Sequence, residues 1–298
     1  MRKVKYIAGA VIGLVLIGVL VYVSTYVFNR VGVLHMYSMF SWDSEVMDSE
    51  EKDRFISITK KMDIGSVYQS FPQDLLETDK MKDFISDLRK ENVDVYYLTG
   101  EREWGLESDG SSFKAEIDKV AAYNDQVKTA EKIKGIVVDI EPYLTEEWDT
   151  ADEEGKQTFF QIYADGMIEA YKYASEKEIP ILVCVPNFYD KYWRDGFERL
   201  AANGCDGLAV MNYNREKEIE EIEGEIEIAR KYDKDVIFIA ELQRPGVHEL
   251  VENNTYYYEG LAALKESFEK MGNYYNYDKL SYSYHYYKPL VELLEIEQ

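Results

Sequence analysis

Cysteine is almost absent from this chain: only Cys184 and Cys205 occur in 298 residues. Both fall in or beside apolar runs that read as neighbouring strands, near opposite ends of them. That is too far apart for the short Cα–Cα span of a disulfide. The fold therefore rests on its core, with both thiols as small buried hydrophobes. Histidine is equally scarce, with His35, His248 and His285 far apart in sequence. No Cys or His spacing suits a structural metal, and neither a metal nor a cofactor is expected. The chain also lacks a P-loop, a nucleophile elbow and a zinc-protease motif, which excludes the chemistries those motifs carry. Basic residues are in deficit, 34 against 57 acidic, for a net charge of −23. Four of the basic residues (Arg2, Lys3, Lys5, Arg30) lie in the N-terminal segment, so the rest is more acidic still. Such a surface repels nucleic acid and anionic lipid. It excludes a nucleic-acid partner and suits a neutral or cationic one.

One long uncharged run is present, at residues 6–28. As a helix it spans about 34 Å at ~1.5 Å per residue, enough to cross a hydrocarbon core of ~30 Å. The basic residues before it favour an N-terminus inside the cell and the rest of the chain outside. The run is long for a signal-peptide core, and no clear Ala-x-Ala site follows it. The expectation is an uncleaved, single-pass signal anchor, with a cleaved signal as the alternative. Residues 1–30 form the cytoplasmic stub and anchor, and residues 31–298 a domain on the extracytoplasmic side of the cell membrane.

From residue 31 onward, strand-like and helix-like segments alternate. Strands are expected over 31–37, 64–69, 93–99, 134–140, 180–185, 206–213, 236–241 and 280–284. Helices are expected over 49–62, 79–92, 113–133, 155–177, 190–203, 216–232, 255–271 and 288–294. The strands are continuous apolar runs, such as Val236-Ile237-Phe238-Ile239-Ala240, which suits a parallel sheet covered by helices. The helices carry apolar residues three and four apart, as in Phe84, Ile85 and Leu88. Eight such units in this length give an α/β fold: a (β/α)8 TIM barrel preceded by a single transmembrane helix. An open doubly wound sheet usually carries a Gly-rich turn after its first strand. Here that exit reads His35-Met36-Tyr37-Ser38-Met39-Phe40.

A (β/α)8 barrel holds its active site at the C-terminal ends of the strands. The fourth strand, Gly135-Ile136-Val137-Val138-Asp139-Ile140-Glu141, ends in two carboxylates. Strand alternation puts Asp139 and Glu141 on one side, roughly 7 Å apart. Each raises the proton affinity of the other, which is what acid–base chemistry near neutral pH requires. The other ends are also polar or aromatic: Tyr37, Gln69, Trp104 with Glu101 and Glu103, Asn187, then Asn212 with Tyr213 and Asn214. Glu241 with Gln243 follows, and finally Tyr284 with His285. Trp104 offers a face for a sugar ring or a cover for a helix end. His35 and His285, on strands adjacent in a closed barrel, are candidates to line the pocket together.

The fourth-strand run resembles the signature G-[IL]-D-[IL]-D-x-E of family 18 glycoside hydrolases, the chitinases and related endoglycosidases. The segment Met211-Asn212-Tyr213-Asn214 is similar to that family's sixth-strand Met-x-Tyr-Asp. The resemblance covers most of residues 31–298. It implies that Glu141 is the general acid on the glycosidic oxygen, and that Asp139 orients the substrate's 2-acetamido group, whose carbonyl is the nucleophile. Tyr213 would hydrogen-bond that carbonyl. This is the substrate-assisted variant of glycoside hydrolysis. Tyr37, Trp104, Asn187, Met211, Asn212, Glu241, Gln243, Tyr284 and His285 would contact the glycan. The implied partner is a polysaccharide such as peptidoglycan, a capsule-type polymer or a chitin-like chain. Three positions depart from the family. Val137 stands where the inner Asp is usual, Asn214 replaces Asp, and Tyr284, His285 or Tyr286 stands near the place of the eighth-strand Trp.

Glu241 supports a second scheme. Glu141-Pro142 resembles the Asn-Glu-Pro of retaining glycosidases that carry the acid/base on strand four and a nucleophilic Glu on strand seven, with Ile140 in place of Asn. Glu141 and Glu241 would then lie ~5–5.5 Å apart. A third reading is a barrel that binds a glycan or a membrane partner without cutting.

Overall fold

The computed structural model describes residues 36–72 and 78–296. The expected anchor at 6–28, the boundary at 30/31 and His35 lie outside the described residues. Among those residues, no helix is long and apolar enough to cross a membrane.

Eight parallel strands close in chain order into a barrel. They are β1 (Tyr37–Ser41), β2 (Ile64–Gln69), β3 (Asp94–Thr99), β4 (Ile136–Val138), β5 (Ile181–Pro186), β6 (Gly207–Met211), β7 (Asp235–Glu241) and β8 (Leu280–His285). The (β/α)8 barrel expected from the alternation is therefore present. Side chains alternate in and out along each strand. Met39, Val67, Val95, Val138, Val183, Val210 and Phe238 pack outward in one continuous core with the helices. Phe40, Tyr68, Tyr96, Leu98, Val137, Leu182, Ala209 and Ile237 have the opposite parity and are buried inside the ring. Edge-to-face contacts at 5.0 Å (Phe40–Tyr68) and 5.6 Å (Tyr68–Tyr96) tie three interior rings together.

The outer helices form where the apolar spacing and caps direct. In Asp79–Lys90 the Thr78 hydroxyl accepts the Met81 N–H at 3.3 Å, and Met81, Phe84, Ile85 and Leu88 make one buried stripe. Asp152 caps Glu153–Glu176 by accepting the Gly155 N–H at 2.9 Å.

Several boundaries differ from expectation. β1 ends at Ser41, four residues beyond the expected end, because the serines read as loop are small polar residues that fit the strand. The Ser38 hydroxyl donates to the Tyr282 carbonyl at 3.2 Å. The third helix stops at Gln126, where Val127 turns to extended geometry, and a short 3-10 turn covers Thr129–Glu131. β4 is only three residues long, although the Asp139 N–H still reaches the Thr99 carbonyl at 2.8 Å.

Candidate functional site

The chain leaves β4 through Asp139 and enters a 3-10 turn, Pro142–Leu144, with Glu141 at its N-cap. This exit is held by two glycines of the preceding loop. A Cβ on Gly100, whose φ is +151°, would sit 2.1 Å from the Asp139 carbonyl oxygen. A Cβ on Gly105 would sit 2.6 Å from the Cβ of Pro142. Only glycine lets the two backbones approach this closely.

Glu141 is partly exposed and accepts a hydrogen bond from the Tyr143 hydroxyl. The Tyr143 ring is wedged edge-on against Phe188 at 5.2 Å and Tyr189 at 6.1 Å. Asp139 lies deeper, and its Oδ1 is shielded from solvent with no hydrogen-bond partner. Burial, and then the Glu141 carboxylate, push the Asp139 carboxyl up to about 7, while His285 and the Cys184 thiol work against them. Both cysteines are free and buried. Cys184 is thus more than a small hydrophobe, since burial, and then the nearby Asp139 charge, hold its thiol well above the ordinary value.

Tyr213 follows β6, its carbonyl held by the Asn254 amide at 2.6 Å. Burial raises its phenol far above the ordinary value, followed by the charges of Glu241, Asp139 and Glu141. The three residues expected to be catalytic therefore share one mouth.

Glu241, 3% exposed at the end of β7, is fully engaged. Its Oε1 accepts the N–H groups of Leu242 (2.8 Å) and Gln243 (2.7 Å), and its Oε2 accepts Gln243 Nε2 (3.1 Å) and His285 Nδ1 (2.8 Å). Burial acts to raise its carboxyl, yet His285 and Gln243 together hold it below the ordinary value. The His285 ring stacks on Tyr213 with centroids 6.1 Å apart and meets the edge of Phe40 at 5.6 Å.

The other expected contacts divide. Met211 is half-exposed on the interior parity of β6, paired with Pro186 and Ile239. Trp104 is half-buried in the turn Arg102–Leu106 and packs against the core. Asn187 donates to Asn212 Oδ1 at 3.1 Å and Glu221 Oε2 at 2.6 Å. Asn212 is buried and donates to the Glu218 carbonyl at 3.2 Å, so it braces the loop. Asn214 donates to Glu221 Oε1 at 2.9 Å and accepts from Asn253 at 3.0 Å. An aspartate there would set two carboxylates at hydrogen-bond distance, which accounts for the amide.

Two expectations are corrected. Tyr37 begins β1 rather than ending it, and packs with Phe268 and Tyr284 at 6.2 Å in the layer between sheet and helix Gly260–Tyr275. Tyr284, 0% exposed, lies in the same layer because its parity is opposite to that of His285. Neither faces the mouth. The structure adds Trp42, 41% exposed just beyond β1 and stacked on Phe40 at 6.4 Å. The early end assigned to β1 hid it. Tyr143 and Cys184 are the other additions. Among the described residues, no group of three His, Cys, Asp or Glu is placed to hold a metal. A cleft of about 790 Å³, lined by Arg89, Asn124, Lys134 and Lys177 among others, shares no residue with this mouth.

No family model and no curated protein matches the chain. Solved structures do match in fold. A chitinase from Bacteroides thetaiotaomicron aligns over 87% of this chain and 93% of its own, with 12% identity and a TM-score of 0.52. The barrel is chitinase-like in fold. A candidate α-L-fucosidase from the same organism gives 14% identity over 88% of this chain and 92% of its own, with a TM-score of 0.57. A D-psicose 3-epimerase from Clostridium cellulolyticum H10 gives 9% identity over 88% and 90%, with a TM-score of 0.52. Hydrolases and an epimerase share this architecture, so function must be argued from the site.

Proposed function

We propose that this chain is a glycoside hydrolase that cleaves an N-acetylhexosamine-containing polysaccharide by substrate-assisted catalysis. The observation that carries the reading is the Asp139 carboxyl, with an unpartnered oxygen and raised proton affinity, beside Glu141 and Tyr213. Protonated Glu141 gives its proton to the leaving glycosidic oxygen as the C1–O bond breaks. The acetamido carbonyl oxygen closes onto C1, Asp139 accepts the acetamido N–H, and the Tyr213 hydroxyl donates to the carbonyl. Water then attacks C1, the bond between C1 and the acetamido oxygen breaks, and a proton of the water passes to the Glu141 carboxylate. Trp42 and Trp104 at the rim offer apolar faces to neighbouring sugars. Residues 6–28 would anchor the enzyme in the cell membrane with the barrel outside, facing a cell-wall glycan.

The retaining alternative, with Glu241 as nucleophile, is less well supported. Both Glu241 oxygens already accept two donors each, which leaves little lone-pair density for attack on carbon.

The test is hydrolysis of N-acetylglucosamine oligosaccharides and cell-wall glycans by the full chain, beside Glu141→Gln. Cleavage that falls by ~10²-fold or more in the variant, and that requires the N-acetyl group, is expected. Saturable binding with no cleavage of any glycan would instead make this a non-catalytic glycan-binding barrel.

A further inference from the structure

The chemistry above leaves Tyr143 without a task, although its hydroxyl donates to Oε1 of Glu141. Among the described residues no donor reaches Oε2. Both side chains sit on one short turn, and that turn is pinned. The Leu144 N–H reaches the Glu141 carbonyl at 3.0 Å, and the Thr145 N–H reaches the Pro142 carbonyl at 3.1 Å. The Thr145 hydroxyl adds a second bond to that Pro142 carbonyl at 2.7 Å, and Arg102 Nη1 donates to the Leu144 carbonyl at 3.1 Å. The Tyr143 ring is fixed as well. Phe188 stands edge-on to it at 5.2 Å, and the fully buried Tyr189 backs it at 6.1 Å. Burial, and then the Glu141 charge, hold the phenol far above its ordinary value, so it keeps its proton beside the carboxylate.

We propose that Tyr143 is a positioning residue for acid catalysis: by holding Oε1 of Glu141 it leaves Oε2 to carry the proton that is transferred. A neutral carboxyl has one O–H, and its carbonyl oxygen accepts a hydrogen bond better than its hydroxyl oxygen does. The oxygen that faces the phenol is therefore the carbonyl one. When the Oε2–H bond breaks, the proton passes to the glycosidic oxygen, which takes the electron pair of the breaking C1–O bond. The Tyr143 O–H bond stays intact throughout. Glu141 has then become a carboxylate, so the same hydrogen bond is charge-assisted and stronger than in the ground state. An interaction that strengthens on the way to the transition state raises kcat and leaves KM nearly alone. Its benefit is confined to leaving groups that need a proton.

This inference rests on the glycosidase reading, and the test separates the two. Tyr143→Phe keeps the ring and its wedge and removes only the hydroxyl. The full-length parent and this variant are compared on chitotetraose and on the dinitrophenyl glycoside of chitobiose, whose phenolate departs without a proton. The quantity compared is kcat/KM, which covers the steps through departure of the leaving group. On chitotetraose the variant should lose ~10- to 10²-fold, carried by kcat with KM changed by less than about threefold. On the dinitrophenyl glycoside it should lose less than about threefold. A merely structural role would lower both rates alike. Phe188→Leu loosens the wedge with the hydroxyl in place, and should show the same contrast between substrates at about threefold. Should Tyr143→Phe fail to fold, Phe188→Leu decides by that contrast. Equal losses on the two substrates, or parental rates on both, overturn the role of Tyr143 and leave the glycosidase reading standing. A parent that cleaves neither substrate overturns both.

Discussion

Replacing Asp139 by Asn should stabilise the barrel, and only above acidic pH. The ordinary Asp value is 3.8, and in the folded chain it is raised to about 7 by burial and by Glu141. Below pH 4 the carboxyl is protonated in both the folded and the unfolded chain, so folding carries no penalty. Between pH 4 and 7 the unfolded chain loses this proton first, and stability falls as pH rises. Above pH 7 both states are ionised and the penalty is complete. About three pH units at ~1.4 kcal/mol each set a ceiling of about 4 kcal/mol. At ~2–4 °C per kcal/mol for a domain of this size, Asp139→Asn should raise the melting temperature by on the order of 10 °C at pH 8. At pH 4 it should change little. Differential scanning calorimetry of parent and variant across pH 4–8 measures this. A variant that melts with the parent at pH 8, or that gains as much at pH 4, would refute the argument that Asp139 is a poorly compensated buried acid.

Other outcomes follow from contacts at the same mouth. Asn214→Asp should destabilise the chain at pH 7 by about 1–3 kcal/mol, because Glu221 loses a donor and gains a like charge; urea midpoints should show the loss shrinking toward pH 4. Trp42→Ala should leave stability within ~0.5 kcal/mol yet raise KM for long oligosaccharides by about three- to tenfold with kcat unchanged. Gly100→Ala should cost roughly 1–3 kcal/mol or more, since the new Cβ collides with the Asp139 carbonyl. Thermal melts together with hydrolysis rates would show whether the loss of activity exceeds the loss of folded protein.

The barrel itself was legible because parallel strands buried on both faces leave long apolar runs, and amphipathic helices leave spacings of three and four. The β4 exit was legible because two acids at the end of such a run have no packing reason to be there. What misled was parity and length. Ser38 and Ser41 lie in β1 because small polar side chains fit a strand as well as a loop does, and the early end assigned to β1 placed Tyr37 at the rim and hid Trp42. Tyr284 and His285 are adjacent in sequence and point to opposite faces, so only strand register separates wall from pocket. The roles of Asn187, Asn212 and Asn214 were not readable, because their partners Glu218, Glu221 and Asn253 come from the following loops. The tie between Glu241 and His285 joins residues on neighbouring strands and needed the register of β7 on β8.

That tie also bears on how the molecule is made. Glu241 is synthesised before its partner, for His285 lies 44 residues later, in β8. Until β8 docks between β7 and β1, the Glu241 carboxylate has its local donors from Leu242 and Gln243 but lacks its imidazole. The final strand thus acts as a latch on the ring. A chain cut short before residue 280 would lack both the latch and the imidazole.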